Sequence, residues 1–393
     1  MSQTKTRTNL EKFSLIQKLF LFRNSELVRA PRNANFILLT AIVAVLNIIG
    51  VVMVLSASSV TALGEYGTAW FFFRRQLFWL LLGVVAFVVM SRIPYKLWQK
   101  YTRPIVISSF VMLTVVLIPG IGTEAFGSRR WLGLGSWRFQ PSEFAKFALV
   151  LFCADFLTRR VSKMGSFKDI MYPILITSSL MMFLVVVEPD YDSTVVLALI
   201  VTMIVVMSGV PLNFLTRIAL PVGTLAVLVA FIEPYRRRRI FSFMHPFDDA
   251  GNTGYQIVQS LIALGSGKTS GVGLGAGKAK WLFLPNAHTD FIFSIIGEEL
   301  GFAGTMMVVG LFVAFILLGI RIILSCTDRF SALLATGIVA WIGGQAIINL
   351  MAVIGLLPVS GITLPFVSFG GSSLLISMAA TGVLANIARY SRA

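Results

Sequence analysis

The chain has 393 residues, 56% of them hydrophobic and only 13% charged, and its mean hydropathy is +0.85. A soluble domain carries about 25% charge, so this composition excludes a soluble enzyme, a disordered chain and a receptor with a single anchor. Roughly 220 apolar residues supply about ten spans of roughly 20 residues each. The net charge of +16 does not point to nucleic acid, because the 33 basic residues are scattered through short segments between apolar runs. Cys153 and Cys326 are too few for a disulfide framework or a thiolate metal site.

In chain order, residues 1–35 form a polar, basic segment without a cleavable signal. Within it Phe13, Ile16 and Phe20 share a helical face flanked by Lys12, Lys18 and Arg23, which suits an interfacial helix on an anionic leaflet. The remainder, 36–393, reads as a single all-α polytopic domain with spans at 36–56, 76–91, 104–119, 143–158, 172–187, 193–210, 214–232, 301–325, 331–356 and 370–388. With both termini inside, the inner segments hold 20 Lys and Arg, including Arg92, Lys96, Arg159 and Arg160, against 12 in the outer ones. The positive-inside rule therefore places both termini in the cytoplasm. A long outer loop, 233–288, joins spans seven and eight, and its aromatic and apolar content argues for a folded, functional segment.

Ionisable residues at membrane depth or at span mouths cost several kcal/mol unless paired or hydrated, and four such clusters occur on the predicted outer side. The first joins Arg129, Arg130 and Trp131 to Gln140, Pro141, Ser142, Glu143 and Lys146; Pro141 opens a helix, and Glu143 and Lys146 share one face at i,i+3. They form either a self-neutralising ion pair or a hydrated wall where Lys146 meets an anionic headgroup. The second, Glu188-Pro189-Asp190-Tyr191-Asp192, is read either as a site for a divalent cation, magnesium or manganese, or as a solvated turn with Ser193 or Thr194 capping the next helix.

The third is Arg236-Arg237-Arg238-Arg239, positive charge on the side where it is disfavoured and suited to bidentate phosphate recognition. The fourth runs from His288, Thr289 and Asp290 to Glu298 and Glu299, about 12 Å further along a helix. Taken alone, Asp290 reads as an N-cap carboxylate and His288 as a hydrogen-bonded loop residue.

In this order the clusters resemble the SEDS family of polytopic glycosyltransferases of bacterial cell-wall synthesis. The resemblance runs from Ser56-Ala57-Ser58-Ser59 to the last helix and rests on Arg-Arg-Trp with Gln-Pro-Ser-Glu-x-x-Lys, Gly254-Tyr255-Gln256, His-Thr-Asp-Phe-Ile-Phe with Gly-Glu-Glu-Leu-Gly, and Gly361–Phe366 running into Ser368–Ser373. Ala287–Asp290 and the Glu-Glu-Leu-Gly segment resemble the division branch, FtsW, more than the elongation branch, RodA. One departure is visible: Asp190-Tyr191-Asp192-Ser193-Thr194 stands where the family usually reads Asp-Leu-Gly-Thr, losing a glycine and gaining a carboxylate.

The resemblance implies polymerisation of lipid II, an undecaprenyl-pyrophosphate-linked disaccharide peptide, at the outer face of the bacterial cytoplasmic membrane and at the division septum. It implies Asp290 as the essential carboxylate. Arg129, Arg130, Lys146, Arg236, Arg238 and Arg239 are the available cations for the pyrophosphate. Trp131, Glu143, Gln256, His288, Thr289, Ser368 and Ser372 complete the expected substrate contacts; backbone N–H groups of the Ser368–Ser373 segment either face the pyrophosphate or form a tight packing turn. The implied partners are a class B penicillin-binding protein and other divisome membrane proteins, with no nucleic acid. A lipid II flippase without bond chemistry and a scaffold that only recruits divisome proteins are the alternatives from other classes.

Overall fold

The computed structural model describes residues 34–125, 128–133, 138–211, 213–214, 216–217, 243, 246–252, 254–281 and 283–390. The chain is an all-α membrane protein. Its long helices are α1 (Ala34–Tyr66), α2 (Phe71–Arg92), α3 (Tyr95–Val116), α4 (Pro141–Arg159), α5 (Phe167–Val187) and α6 (Tyr191–Met207). After the short α7 (Tyr255–Ser266) come α8 (Ile292–Ser325), α9 (Arg329–Val353) and α10 (Gly371–Tyr390). Nine predicted spans correspond to long helices; the tenth, 214–232, falls almost wholly outside the described residues, as do the N-terminal segment 1–33 and Arg236, Arg238 and Arg239. Six of the described helices are long and apolar enough to cross a membrane by length and composition.

Burial separates a central layer from a lipid-facing one. α9 and α10 are largely enclosed, with Trp341 fully buried, whereas α5 turns Tyr172, Ile176, Leu180, Phe183 and Val187 outward at spacings of three and four. Such an apolar stripe on the outside is the inverse of a soluble protein and suits hydrocarbon as solvent. α10 packs most closely on α2. Small residues permit the approach: a Cβ on Gly382 would lie 2.6 Å from the Phe87 carbonyl, and one on Gly83 would meet the Met378 side chain at 3.1 Å.

The structure adds elements that the hydropathy pattern does not predict. A two-stranded antiparallel hairpin, β1 (Gly122–Ala125) and β2 (Ser128–Leu132), precedes α4 and carries Arg129 to Trp131. α7 forms inside the long predicted loop. α3 begins nine residues before its predicted start, because basic residues lower the hydropathy of Tyr95–Arg103 without breaking a helix.

α8 likewise starts at Ile292 rather than 301, and it is broken at Gly301, whose φ of 68° only glycine adopts without strain. The chain stitches this break closed. Val272 and Gly273 N–H donate to the Glu298 and Glu299 carbonyls, while Phe302 and Ala303 N–H donate to those of Lys268 and Thr269. Backbone groups freed by a kink at membrane depth are thus paired by an inserted loop, as a medium without water requires.

Candidate active site

The first, second and fourth sequence clusters are separated by up to about 170 residues, yet their described parts converge on one end of the bundle. Arg130 donates from Nε to the Glu188 carbonyl at 3.0 Å and from its terminal nitrogen to that of Pro189. Gln140 and Ser142 donate to one oxygen of Asp190, at 2.9 and 2.8 Å. Gly361 N–H donates to Asp192 at 2.9 Å, tying the α5–α6 hairpin to the segment that precedes α10.

This geometry corrects the solvated-turn reading of 188–194. Asp190 itself is the N-cap of α6, accepting from Ser193 N–H, and it is 3% exposed, while Glu188 is 1% exposed. Neither carboxylate oxygen of Glu188 has a partner among the described residues. Burial, reinforced by Asp190 and opposed by Arg130, pushes this carboxyl up to about 9, so it is a neutral acid at neutral pH.

A carboxyl raised in this way contributes stability that is complete below the ordinary value of 4.5 and is lost as pH rises, being gone above about 9. Glu188→Gln, neutral at every pH, is therefore expected to flatten the pH dependence of thermal stability in detergent and to raise the melting temperature at pH 8. A variant that melts lower at pH 8, with an unchanged pH slope, contradicts the neutral-acid assignment. Among the described residues no group of three or more His, Cys, Asp or Glu is placed to hold a metal ion.

Glu143 and Lys146 form the expected i,i+3 pair, at 2.8 Å, but inside the bundle: Lys146 is 1% exposed. Its ammonium also donates to Gln345 Oε1 at 3.2 Å and lies 5.8 Å from the Trp341 ring centre. Gln345 Oε1 accepts from the Trp341 indole as well, and its Nε2 donates to the Thr363 carbonyl at 3.0 Å. The ammonium is enclosed by protein groups. Arg129 is exposed on β2, Trp131 is half-buried beside it, and Gln256 is half-buried on α7.

The segment His288-Thr289-Asp290 is held by three consecutive carbonyls. That of His288 accepts from Phe369 N–H at 2.9 Å, that of Thr289 from the Ser368 hydroxyl at 2.6 Å, and that of Asp290 from Asn349 Nδ2 at 2.9 Å. The Ser368 hydroxyl also accepts from Leu364 N–H at 2.8 Å, which closes a turn over Leu364–Ser368, and Ser372 is buried at the start of α10. The His288 ring packs on Phe72 and Phe369, with centres 4.4 and 5.7 Å apart. Burial pushes its imidazole down to about 4, which keeps it neutral. Asp290 is not the N-cap of α8: that position is Phe291, and Asp290 precedes it, half-buried.

The partner of Glu299, Lys280, escaped the sequence reading. Lys280 Nζ donates to Glu299 at 2.8 Å, to the Ser56 hydroxyl at 3.1 Å and to the Gly275 carbonyl at 2.6 Å. Ser56 donates to both Glu299 oxygens at 2.7 Å, and Glu298 accepts the N–H groups of Lys278 and Ala279. The two glutamates thus clamp the loop after α7 onto the first half of α8.

A family model described as cell cycle protein, FTSW_RODA_SPOVE, matches residues 36–393. The chain belongs to this family. The probable peptidoglycan glycosyltransferase FtsW of Geobacter metallireducens is 39% identical over 87% of this chain and 91% of that protein. The stage V sporulation protein E of Bacillus subtilis is 39% identical over 91% of this chain and 97% of its own length. Among solved structures, one described as a peptidoglycan synthase complex coordinating polymerization and crosslinking matches at 25% identity and a TM-score of 0.72, covering 91% of this chain and 97% of that one. The rod shape determining protein RodA of Thermus thermophilus matches at 25% identity and a TM-score of 0.66 over 90% of this chain and 97% of that one. These findings bear out the SEDS resemblance, and 39% identity to FtsW against 25% to RodA bears out an FtsW-like member of the family.

Proposed function

We propose that this chain is a peptidoglycan glycosyltransferase of the FtsW type, polymerising lipid II into linear glycan. The observation that carries the reading is Asp290, a half-buried carboxylate whose carbonyl is held by Asn349 and whose neighbour Thr289 is held by Ser368, at the end of the bundle where the sequence clusters meet. In the reaction, the 4-hydroxyl of one disaccharide attacks the anomeric carbon of another, the bond to pyrophosphate breaks, and the hydroxyl proton passes to the base. Asp290 is that base. The carboxylate accepts the proton as the hydroxyl acidifies on bonding to the anomeric carbon.

Arg129, Trp131, Gln256 and Thr289, exposed or half-buried, keep surface that a substrate can touch. Arg130, Glu143, Lys146, His288, Ser368 and Ser372, engaged or enclosed by protein, hold the walls on which those groups sit. Arg236, Arg238 and Arg239 supply further cations for the departing pyrophosphate. This end of the bundle faces outward in our reading, with both termini cytoplasmic and residues 36–393 acting as one domain at the septum. A carboxylate at an outer mouth suits extracellular bond formation better than carriage of lipid II across the membrane.

The crosslinking partner is a class B penicillin-binding protein acting in trans beside other divisome proteins, a reading supported by the likeness to the solved peptidoglycan synthase complex. The purified chain given lipid II is expected to yield long, uncrosslinked glycan on a gel. Transport into vesicles without polymer would favour the flippase reading, and crosslinked product from the isolated chain would refute the division of labour.

A further inference from the structure

Asn349 belongs to none of the sequence clusters, yet it is the side chain that grips Asp290. It lies on α9, is 1% exposed, and donates from Nδ2 to the Asp290 carbonyl at 2.9 Å and to the Ile362 carbonyl at 2.7 Å. A carboxamide has two N–H hydrogens, one for each acceptor. The opposite amide orientation would press Oδ1 against two carbonyl oxygens, so the contacts themselves fix which end is nitrogen.

That orientation leaves Oδ1 buried with no partner among the described residues. An unsatisfied buried acceptor is costly, and an apolar residue here would avoid the cost, so the donors carry the value of this position. One turn earlier on α9, Gln345 makes the parallel contact to the Thr363 carbonyl. The helix therefore bolts two strands of loop to itself, one bearing Asp290 and the other bearing Ile362 and Thr363. The latter in turn supplies Ser368 and Phe369 to the carbonyls of Thr289 and His288.

We infer that Asn349 is a positioning residue for glycosyl transfer: it fixes the main chain at Asp290, and through it the direction of the carboxylate, without touching substrate. The inference rests on the reading of Asp290 as the base. Misplacement of a reacting group by about 1 Å costs on the order of 10²-fold in rate. Asn349→Ala, purified as monodisperse protein in detergent, is thus expected to lose about 10²-fold in kcat with KM for lipid II within about two-fold. Asn349→Ser, which keeps a single donor, should fall between Asn349→Ala and wild type and serves if the alanine variant does not fold.

The deciding measurement is the double variant with Asp290→Asn. If Asn349 acts through Asp290, adding Asn349→Ala leaves the residual rate of Asp290→Asn unchanged. Losses that multiply, a rise in KM at constant kcat, or wild-type kcat in both Asn349 variants would each overturn the inference while the base assignment stands. Near-wild-type turnover in Asp290→Asn alone would instead overturn the base assignment, and the inference with it.

Discussion

Asp290→Asn is expected to lower the rate of polymerisation by about 10²–10⁴-fold, the range over which a general base contributes, leaving a small residual rate with purified lipid II. The substitution preserves size and polarity. The three contacts that hold this stretch go to backbone carbonyls, which the substitution keeps, and asparagine retains a side-chain oxygen as acceptor, so the expression level and melting temperature should stay near wild type. Loss of activity together with loss of fold would point to a structural aspartate. Retained turnover would remove the base from the mechanism.

The largest expected effect on stability is at Lys280. Lys280 and Glu299 are 4% and 1% exposed, 2.8 Å apart, and their remaining valences go to Ser56, Gly275 N–H and the Gly275 carbonyl. Removing one partner of such a pair strands the other charge, at about 3–5 kcal/mol, whereas replacing both by apolar groups of similar volume is often neutral. Lys280→Met should therefore melt far lower than wild type, and Lys280→Met with Glu299→Leu should recover part of the loss. The recovery is only partial because Glu299 also accepts from Gly275 N–H and Ser56. Thermal unfolding in detergent reads both variants; equal melting temperatures for wild type and Lys280→Met would show that the pair does not clamp the loop. Since this clamp joins the loop after α7 to the half-helix that follows Asp290, the single variant should also lose activity below its melting temperature.

Composition alone determined that this chain is a polytopic helical membrane protein, because transfer of apolar residues to hydrocarbon is nearly additive along the sequence. Motif order was enough to identify the family and to single out Asp290. Local signals also placed the start of α4, where Pro141 at the first position sets the backbone, and the Glu143–Lys146 pair, since both depend on neighbours within one helical turn.

What the sequence left open depends on residues far apart in the chain. Asp190 stands out as a carboxylate between spans and its capping bond to Ser193 is local, but its burial follows from Gln140 and Ser142 packing against it. Hydropathy stops short of Ile292–Leu300 because two glutamates lower the average. Those glutamates are tolerated only because Ser56, Lys280 and the backbone of Gly275 to Ala279 come to meet them. Asn349 looks like any polar residue on an apolar helix until Asp290 and Ile362 are brought against it. Transfer energy is summed residue by residue and is legible in one dimension; hydrogen-bond satisfaction at membrane depth is a pairwise condition, and only the tertiary structure decides which partners meet.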